Sequence, residues 1–145
     1  MSFLRFTVPG RAAPGGSKRG FAFRRANGKL GVQLVDDNAK AKPWKVTVAA
    51  CALAARTSPA LLDGPIKLKL TFILARPKGH HGARGLKPSA PKYPTTRPDV
   101  LKLARAVEDA LTGIVWRDDA QIVSEHLFKE FGEPERVEVE IQELD

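Results

Sequence analysis

Hydrophobic and polar residues alternate in six short segments of the chain, a pattern typical of β-strands with one buried face. These segments are residues 4–8, 21–25, 30–35, 66–74, 121–128 and 137–141. Asn27 and Gly28 separate the second segment from the third, and this dipeptide favours a tight β-hairpin. Apolar residues recur every three or four positions over 38–57 and 100–111, which predicts two helices.

The order of these elements predicts an α+β fold, with one domain over residues 1–145. We expect a mixed or antiparallel sheet covered by two main helices. Asp36, Asp37 and Asn38 could cap the first helix, and the pair Thr112-Gly113 is a typical end for the second.

Two segments show neither the alternation typical of strands nor the spacing typical of helices, and they are predicted to be loops. Residues 11–20 are rich in glycine and basic side chains, whereas residues 76–98 contain five prolines and three glycines. A loop as long as the second one is usually functional or disordered in a compact domain.

The overall composition is that of a globular protein, with 43% hydrophobic and 28% charged residues, and it excludes disorder of the whole chain. No apolar run approaches the roughly 20 residues of a membrane span, and no signal peptide is recognisable. The single cysteine, Cys51, excludes an internal disulfide. We therefore expect a cytoplasmic protein without a membrane partner.

Charge is strongly segregated along the sequence. Residues 1–98 hold 19 basic and 3 acidic side chains, whereas residues 99–145 hold 5 basic and 13 acidic ones. A basic surface of this size favours a polyanionic partner, most often nucleic acid, although the segment 11–20 could also be an ordinary flexible loop. The candidate DNA-binding cations are Lys18, Arg19, Arg24, Arg25, Lys78, Arg84, Lys87, Lys92, Arg97 and Lys102.

Five carboxylates follow the most basic part of the chain within 21 residues: Asp99, Glu108, Asp109, Asp118 and Asp119. Mg²⁺ prefers such oxygen ligands, and phosphodiester hydrolysis commonly uses it, with Mn²⁺ as a substitute. Each carboxylate also has an ordinary explanation. A helix N-terminus, a solvated helix face and a turn before a strand all favour acidic residues.

Other residues give weaker signals. His80-His81 could bind a metal, but no cysteine or further histidine lies nearby in the sequence. Trp44 and Trp116 are more typical of core residues than of platforms for base stacking.

Two segments resemble the RusA family of Holliday-junction resolvases, especially its bacteriophage members. They are RPDVLKLARAVEDALTG at 97–113 and WRDDAQIV at 116–123. The strand end at Val8-Pro9-Gly10 and the basic loop after it are similar to the family as well. The resemblance implies a homodimer that binds four-way DNA junctions and makes paired Mg²⁺-dependent cuts, with forks and flaps as other candidate substrates.

The resemblance also implies roles for individual residues. Asp99 matches the first motif carboxylate, and Asp119, with Asp118 beside it, matches the carboxylate after the helix. Arg105 stands where the family has a catalytic lysine; arginine cannot donate a proton at neutral pH but can hold a phosphate. Leu101 occupies the position of the second motif carboxylate.

Glu108 lies seven residues after Leu101 and three after Arg105, so all three fall on one stripe of a helix. We expect Asp99, Asp119 and Glu108 to hold Mg²⁺, with Asp118 as a further candidate ligand, while Arg105 stabilises charge on the phosphate. Alternatively, Glu108 is a surface residue paired with Arg105. A non-catalytic basic nucleic-acid-binding module is the rival interpretation of the whole chain.

Overall fold

Two helices pack against one face of a four-stranded sheet in the computed structural model, which describes residues 3–15, 18–36 and 39–145. The helices are α1 (Ala41–Ala55) and α2 (Val100–Leu111). The strands are β1 (Phe3–Pro9), β2 (Lys18–Arg24), β3 (Leu30–Asp36), β4 (Ile66–Leu74), β5 (His81–Gly82), β6 (Gly85–Leu86), β7 (Ile122–Phe131) and β8 (Arg136–Glu143). This arrangement confirms the predicted α+β class with two main helices.

The main sheet has the strand order β1-β8-β4-β7. β7 runs parallel to β4, whereas the other neighbours are antiparallel, so the sheet is mixed. β7 lies at the edge, with Glu125 opposite Leu68 of β4. The strands β2 and β3 form a separate hairpin, and its turn contains Gly28 at φ +83°, a conformation that favours glycine.

The alternation seen in the sequence places one side of each main strand in the core. Val8, Leu68, Leu70, Val139 and Ile141 are fully buried. Trp116 is fully buried too, and Trp44 is 6% exposed, which confirms both tryptophans as core residues.

The 12-residue helix α2 buries one face and ends where the sequence predicts. Thr112 follows its last residue, and Gly113 then adopts φ +84°. The indole Nε1 of Trp116 donates to Thr112 Oγ1 at 3.0 Å, which ties the helix end to the core. Neither this helix nor the 15-residue α1 is long and apolar enough to cross a membrane.

The predicted start of α1 was wrong. Asp36 belongs to β3, and Lys40 occupies the N-cap position without a capping side-chain bond; Asp37 and Asn38 lie outside the described residues. The β-pairing of Lys18 with Asp36 extends the hairpin into the segment predicted to be a loop. Strand pairing therefore outweighed the local preference for a cap and for a loop.

The segment 76–98 is irregular, as predicted, apart from a short 3₁₀ turn and the small β5–β6 hairpin. Its start is anchored to the sheet. Arg76 Nη1 donates to the Pro91 carbonyl at 2.7 Å, and its guanidinium lies 4.3 Å from the centroid of the Phe131 ring. The edge of the His80 ring meets the same phenyl ring at a centroid distance of 5.4 Å.

Candidate active site

The helix α2 and the edge strand β7 together position the acidic side chains. Lys129 Nζ on β7 donates to the carbonyls of Thr96 and Pro98, at 2.9 Å each, just before α2 begins. Glu125, four residues earlier on β7, is hydrogen-bonded to Glu108 near the end of α2. The helix and the strand therefore run in opposite directions, side by side.

A carboxylate cluster forms where the end of α2, the turn after it and β7 meet. We use this name for Glu108, Asp109, Asp118, Asp119 and Glu125. Glu108 is half-buried, whereas the other four residues are exposed. The predicted pair Glu108 and Asp119 is thus brought together by the fold.

The like charges of this cluster act on Glu108. Partial burial is the largest cause that raises its pKa, to about 8. The hydrogen bond with Glu125 and the negative charges of Glu125, Asp119 and Asp109 raise this pKa further. Near neutral pH, Glu108 is therefore mostly protonated, as long as no cation is present.

The pair Asp118-Asp119 sits in a turn that is built from its own side chains. Asp118 Oδ1 accepts from the backbone N–H of Ala120 at 2.8 Å, and Gln121 Oε1 accepts from the N–H of Asp118 at 2.9 Å. This reciprocal pair caps the 3₁₀ turn Asp119–Gln121. Gln121 Nε2 also donates to the carbonyl of Gly64 at 3.0 Å, which fixes the turn to the chain before β4.

The capped turn leaves Asp119 exposed beside its neighbour. The hydrogen bond with Asp118 is the first cause that raises the pKa of Asp119, followed by desolvation and by the charges of Asp118 and Asp109. The N–H of Ala120 opposes this shift. Asp109 itself is paired with Lys45 of α1, at 3.3 Å.

Asp99 lies apart from the cluster. It is the N-cap residue of α2, nine positions before Glu108, which corresponds to about 13 Å along the helix axis. Its charge is not among the causes that shift the pKa of Glu108 or Asp119. The predicted trio of Asp99, Asp119 and Glu108 is therefore only partly assembled.

The stripe predicted along α2 carries two further residues. Leu101 is 66% exposed, and Arg105 is exposed as well. Glu108, at the end of the same stripe, turns toward β7 and becomes half-buried.

Mg²⁺ fits the chemistry of the cluster, although no group of three metal-binding side chains is preformed among the described residues. These carboxylates raise the pKa of Glu108 and of Asp119 because their negative charges are not balanced by a cation. Their oxygens are the hard donors that Mg²⁺ prefers. Mg²⁺ commonly uses only one or two carboxylates and completes its shell with water and phosphate oxygens. Glu108, Glu125 and Asp119 are the residues that could hold it.

Glu125 is the site residue that the sequence analysis missed. The signal for it was a carboxylate on the strand that directly follows the Asp118-Asp119 pair. That signal alone could not show that β7 lies beside α2.

The candidate DNA-binding cations whose side chains the structure describes are all exposed. Arg24 and Arg25 lie at the hairpin turn, and Lys102 lies in the first turn of α2. In the segment 76–98, all five candidates are exposed: Lys78, Arg84, Lys87, Lys92 and Arg97. Lys18 and Arg19 belong to β2, but their side chains lie outside the described part of the structure.

Comparison with known proteins matches the chain to a family model and to a relative of known sequence. The family model described as Endodeoxyribonuclease RusA matches residues 13–142 of the chain. A protein from Bacillus subtilis (strain 168), named "Uncharacterized protein YqaN", is 33% identical over 147 residues, covering 99% of each chain. The range matched by the family model contains α2, β7 and the whole carboxylate cluster.

The raised pKa of Glu108 predicts a pH-dependent effect on stability. The unfolded chain releases this proton near pH 4.5, whereas the folded protein holds it to about pH 8. The contribution of this proton to the free energy of unfolding of the wild type is therefore lost as pH rises through this range. Without divalent cations, we expect Glu108→Gln to raise the melting temperature relative to wild type at about pH 8.5 more than at about pH 5. Solvent screening limits this difference to about 2–4 °C.

The matched control is Glu130→Gln, which removes an exposed carboxylate from the same strand β7. Its melting temperature should differ from wild type by the same amount at both pH values. A Glu108→Gln offset that is equally independent of pH would contradict the charge crowding, and thermal unfolding followed by circular dichroism measures both variants.

Proposed function

The chain belongs to the RusA family of endodeoxyribonucleases, and on this premise we propose that it hydrolyses phosphodiester bonds of branched DNA with Mg²⁺. Four-way junctions are the proposed main substrate, and forks and flaps are further branched forms to test. The proposed cellular role is recombination and repair of DNA, the processes in which such branches arise.

The observation that carries this proposal is a cluster of crowded carboxylates on a chain with a net charge of +8. Surface carboxylates that only needed solvation would be placed apart, because like charges repel. Here Glu108, Glu125 and Asp119 approach one another closely enough to raise the pKa of Glu108. Such an arrangement is favourable once a cation is bound.

Each residue of the site then has a proposed part. When bound, Mg²⁺ supplies a Lewis acid that neutralises charge on the scissile phosphate. Glu108, Asp119 and Glu125 would hold it, once Glu108 has lost the proton that it keeps in the metal-free protein. Arg105, exposed three residues before Glu108, contacts the phosphate through its guanidinium.

Asp99 and Asp118 have more limited proposed roles. Asp118 caps the turn that carries Asp119, so it positions its neighbour rather than leaving both oxygens for a metal. Asp99 stays a predicted ligand at the other end of α2, where the helix keeps it about 13 Å from Glu108 along its axis.

Single substitutions in the cluster test the catalytic proposal. We expect Glu108→Gln, Glu125→Gln and Asp119→Asn to lower the cleavage rate of a synthetic four-way junction by at least about 100-fold in Mg²⁺. Junction affinity in EDTA should be kept or increased, because each change removes negative charge beside the DNA. Asp99→Asn, measured in parallel, decides whether the start of α2 belongs to the same site.

Glu130→Gln serves again as the matched control, since it removes an exposed carboxylate of β7 outside the cluster. Cleavage of the junction by all three cluster variants at the wild-type rate would sink the proposed site. Binding without any Mg²⁺-dependent cleavage by the wild type would favour the rival interpretation, a non-catalytic nucleic-acid-binding module.

We also propose that the protein acts as a homodimer. A four-way junction presents two symmetry-related strands, and a two-fold dimer places one site near each of them. Exposed apolar side chains on α2 and β7, namely Leu101, Val123 and Phe128, are available for such contacts.

A cruciform in a supercoiled plasmid tests the dimer, because two cuts within one complex give linear DNA while single cuts give nicked circles. We expect linear DNA to form without an accumulation of nicked circles. Nicked circles as the only early product, together with a monomeric mass in sedimentation on the junction, would exclude paired cleavage by a dimer.

The salt dependence of binding tests the hairpin as a DNA-binding element. Replacing Lys18, Arg19, Arg24 and Arg25 together by glutamine should reduce the slope of log K against log salt by roughly 0.7–0.9 for each phosphate that the hairpin no longer neutralises.

The control for this variant removes the same number of charges from Arg5, Lys69, Arg117 and Arg136, each of which is already paired with a carboxylate. Equal slopes for the hairpin variant and the wild type, measured by titration of a fluorescent junction, would place the hairpin outside the interface.

A further inference from the structure

A cleft of about 500 Å³ opens at the start of α2, at the opposite end of the helix from the carboxylate cluster. Three parts of the chain form it: the residues after β1, the first turns of α1 and the two residues before Asp99. Its lining residues are Arg11, Ala12, Ala13, Pro14, Lys40, Pro43, Trp44, Thr47, Arg97 and Pro98. Its volume is in the range of about 300–1,000 Å³ that is usual for small-ligand sites.

The inner walls of the cleft are apolar and firmly held. Ala12, Ala13 and Trp44 are each at most 6% exposed, and Pro98 is half-buried. The apolar lining, to which the prolines Pro43 and Pro98 contribute, suits the apolar face of a planar ring.

The rim of the cleft is cationic. Arg11, Lys40 and Arg97 line it and are all exposed. The guanidinium of Arg11 is 3.8 Å from the carboxylate of Glu135, and its five N–H donors exceed what this one contact can use. An apolar wall beneath a cationic rim matches a ligand that combines a planar base with a phosphate.

We propose that this cleft binds one unpaired nucleotide of the DNA substrate, with its base against the apolar wall and its phosphate beside Arg11 and Arg97. The inference rests on the proposed function, because it assigns part of the substrate to a second place on the protein. Branch points favour such binding, since a base that is already unpaired costs least to turn outward.

The fold also predicts where this nucleotide lies relative to the cut. The cleft and the carboxylate cluster are separated by about 13 Å along α2. Stacked nucleotides advance about 3.4 Å each along a strand, so the bound nucleotide should lie within about four positions of the scissile phosphate.

Thr47→Phe tests the proposal by filling the cleft. Thr47 is exposed on α1 and lines the cleft, and its hydroxyl donates to the Pro43 carbonyl of its own helix, at 3.1 Å. The matched control is Val46→Phe, because Val46 is the adjacent residue, is 64% exposed and does not line the cleft. Circular dichroism and melting temperature confirm that both variants are folded.

Binding in EDTA is measured on a fluorescent four-way junction and on a series of junctions that each carry one abasic nucleotide within four positions of the cut. We expect Thr47→Phe to weaken binding to the intact junction about 10-fold, the scale of removing one stacked base, and Val46→Phe to change it less than about 2-fold. At one abasic position, the wild type should bind about 10-fold more weakly than it binds the intact junction. On that same abasic junction, Thr47→Phe and the wild type should bind with equal affinity.

The outcomes separate the two proposals. If wild type binds and cuts the junction but Thr47→Phe binds as tightly, the cleft inference is wrong and the proposed function stands. If Thr47→Phe weakens every abasic junction by the same factor, the inference is equally wrong, because the cleft then holds something other than a nucleotide, for example an acidic segment of a second copy. If wild type neither binds nor cuts branched DNA, both proposals fail.

Discussion

The burial of one face of α2 is the constraint on which the rest of the site depends. Leu103, Val107 and Leu111 are fully buried against the sheet and α1, so the helix cannot rotate about its axis. This fixed orientation leaves Arg105 on the outer face and turns Glu108 toward β7. A different rotation of the helix would separate Glu108 from Glu125, and the carboxylates would then be isolated, solvated surface residues.

The carboxylate cluster is electrostatically unfavourable, whereas the other elements of the fold follow the structural preferences of their own sequence. Alternation, hairpin turn and the end of α2 all follow local rules, whereas Glu108 and Glu125 place like charges side by side at a half-buried position. Functional sites are where such conflicts are expected, because the missing partner is a ligand rather than another residue. The surrounding core, continuous from the sheet to both helices, supplies the stability that lets this conflict persist.

The strands, the hairpin and α2 could be predicted from the sequence because each depends on a local pattern. The motif resemblance to the RusA family is confirmed by the family match over residues 13–142. The strand order could not be predicted in this way, since β4 pairs with β7 across more than 50 residues and alternation does not identify a partner. Glu125 was missed for the same reason, because its contact with Glu108 exists only once β7 lies beside α2. The capping prediction at Asp36 failed because pairing with Lys18 extends β3 through that residue.

Leu101 explains how the acidic groups come to be distributed along α2. A carboxylate at this exposed position would add a second acidic group beside Asp99 at the start of α2. With leucine there, Asp99 is flanked by Arg97 and Lys102, and negative charge is concentrated at the end of α2 that faces β7. The helix therefore separates a cationic, partly apolar end from an acidic end by about 13 Å. Because α2 is rigid and its rotation is fixed by the core, this separation is a fixed length against which a DNA strand can be positioned.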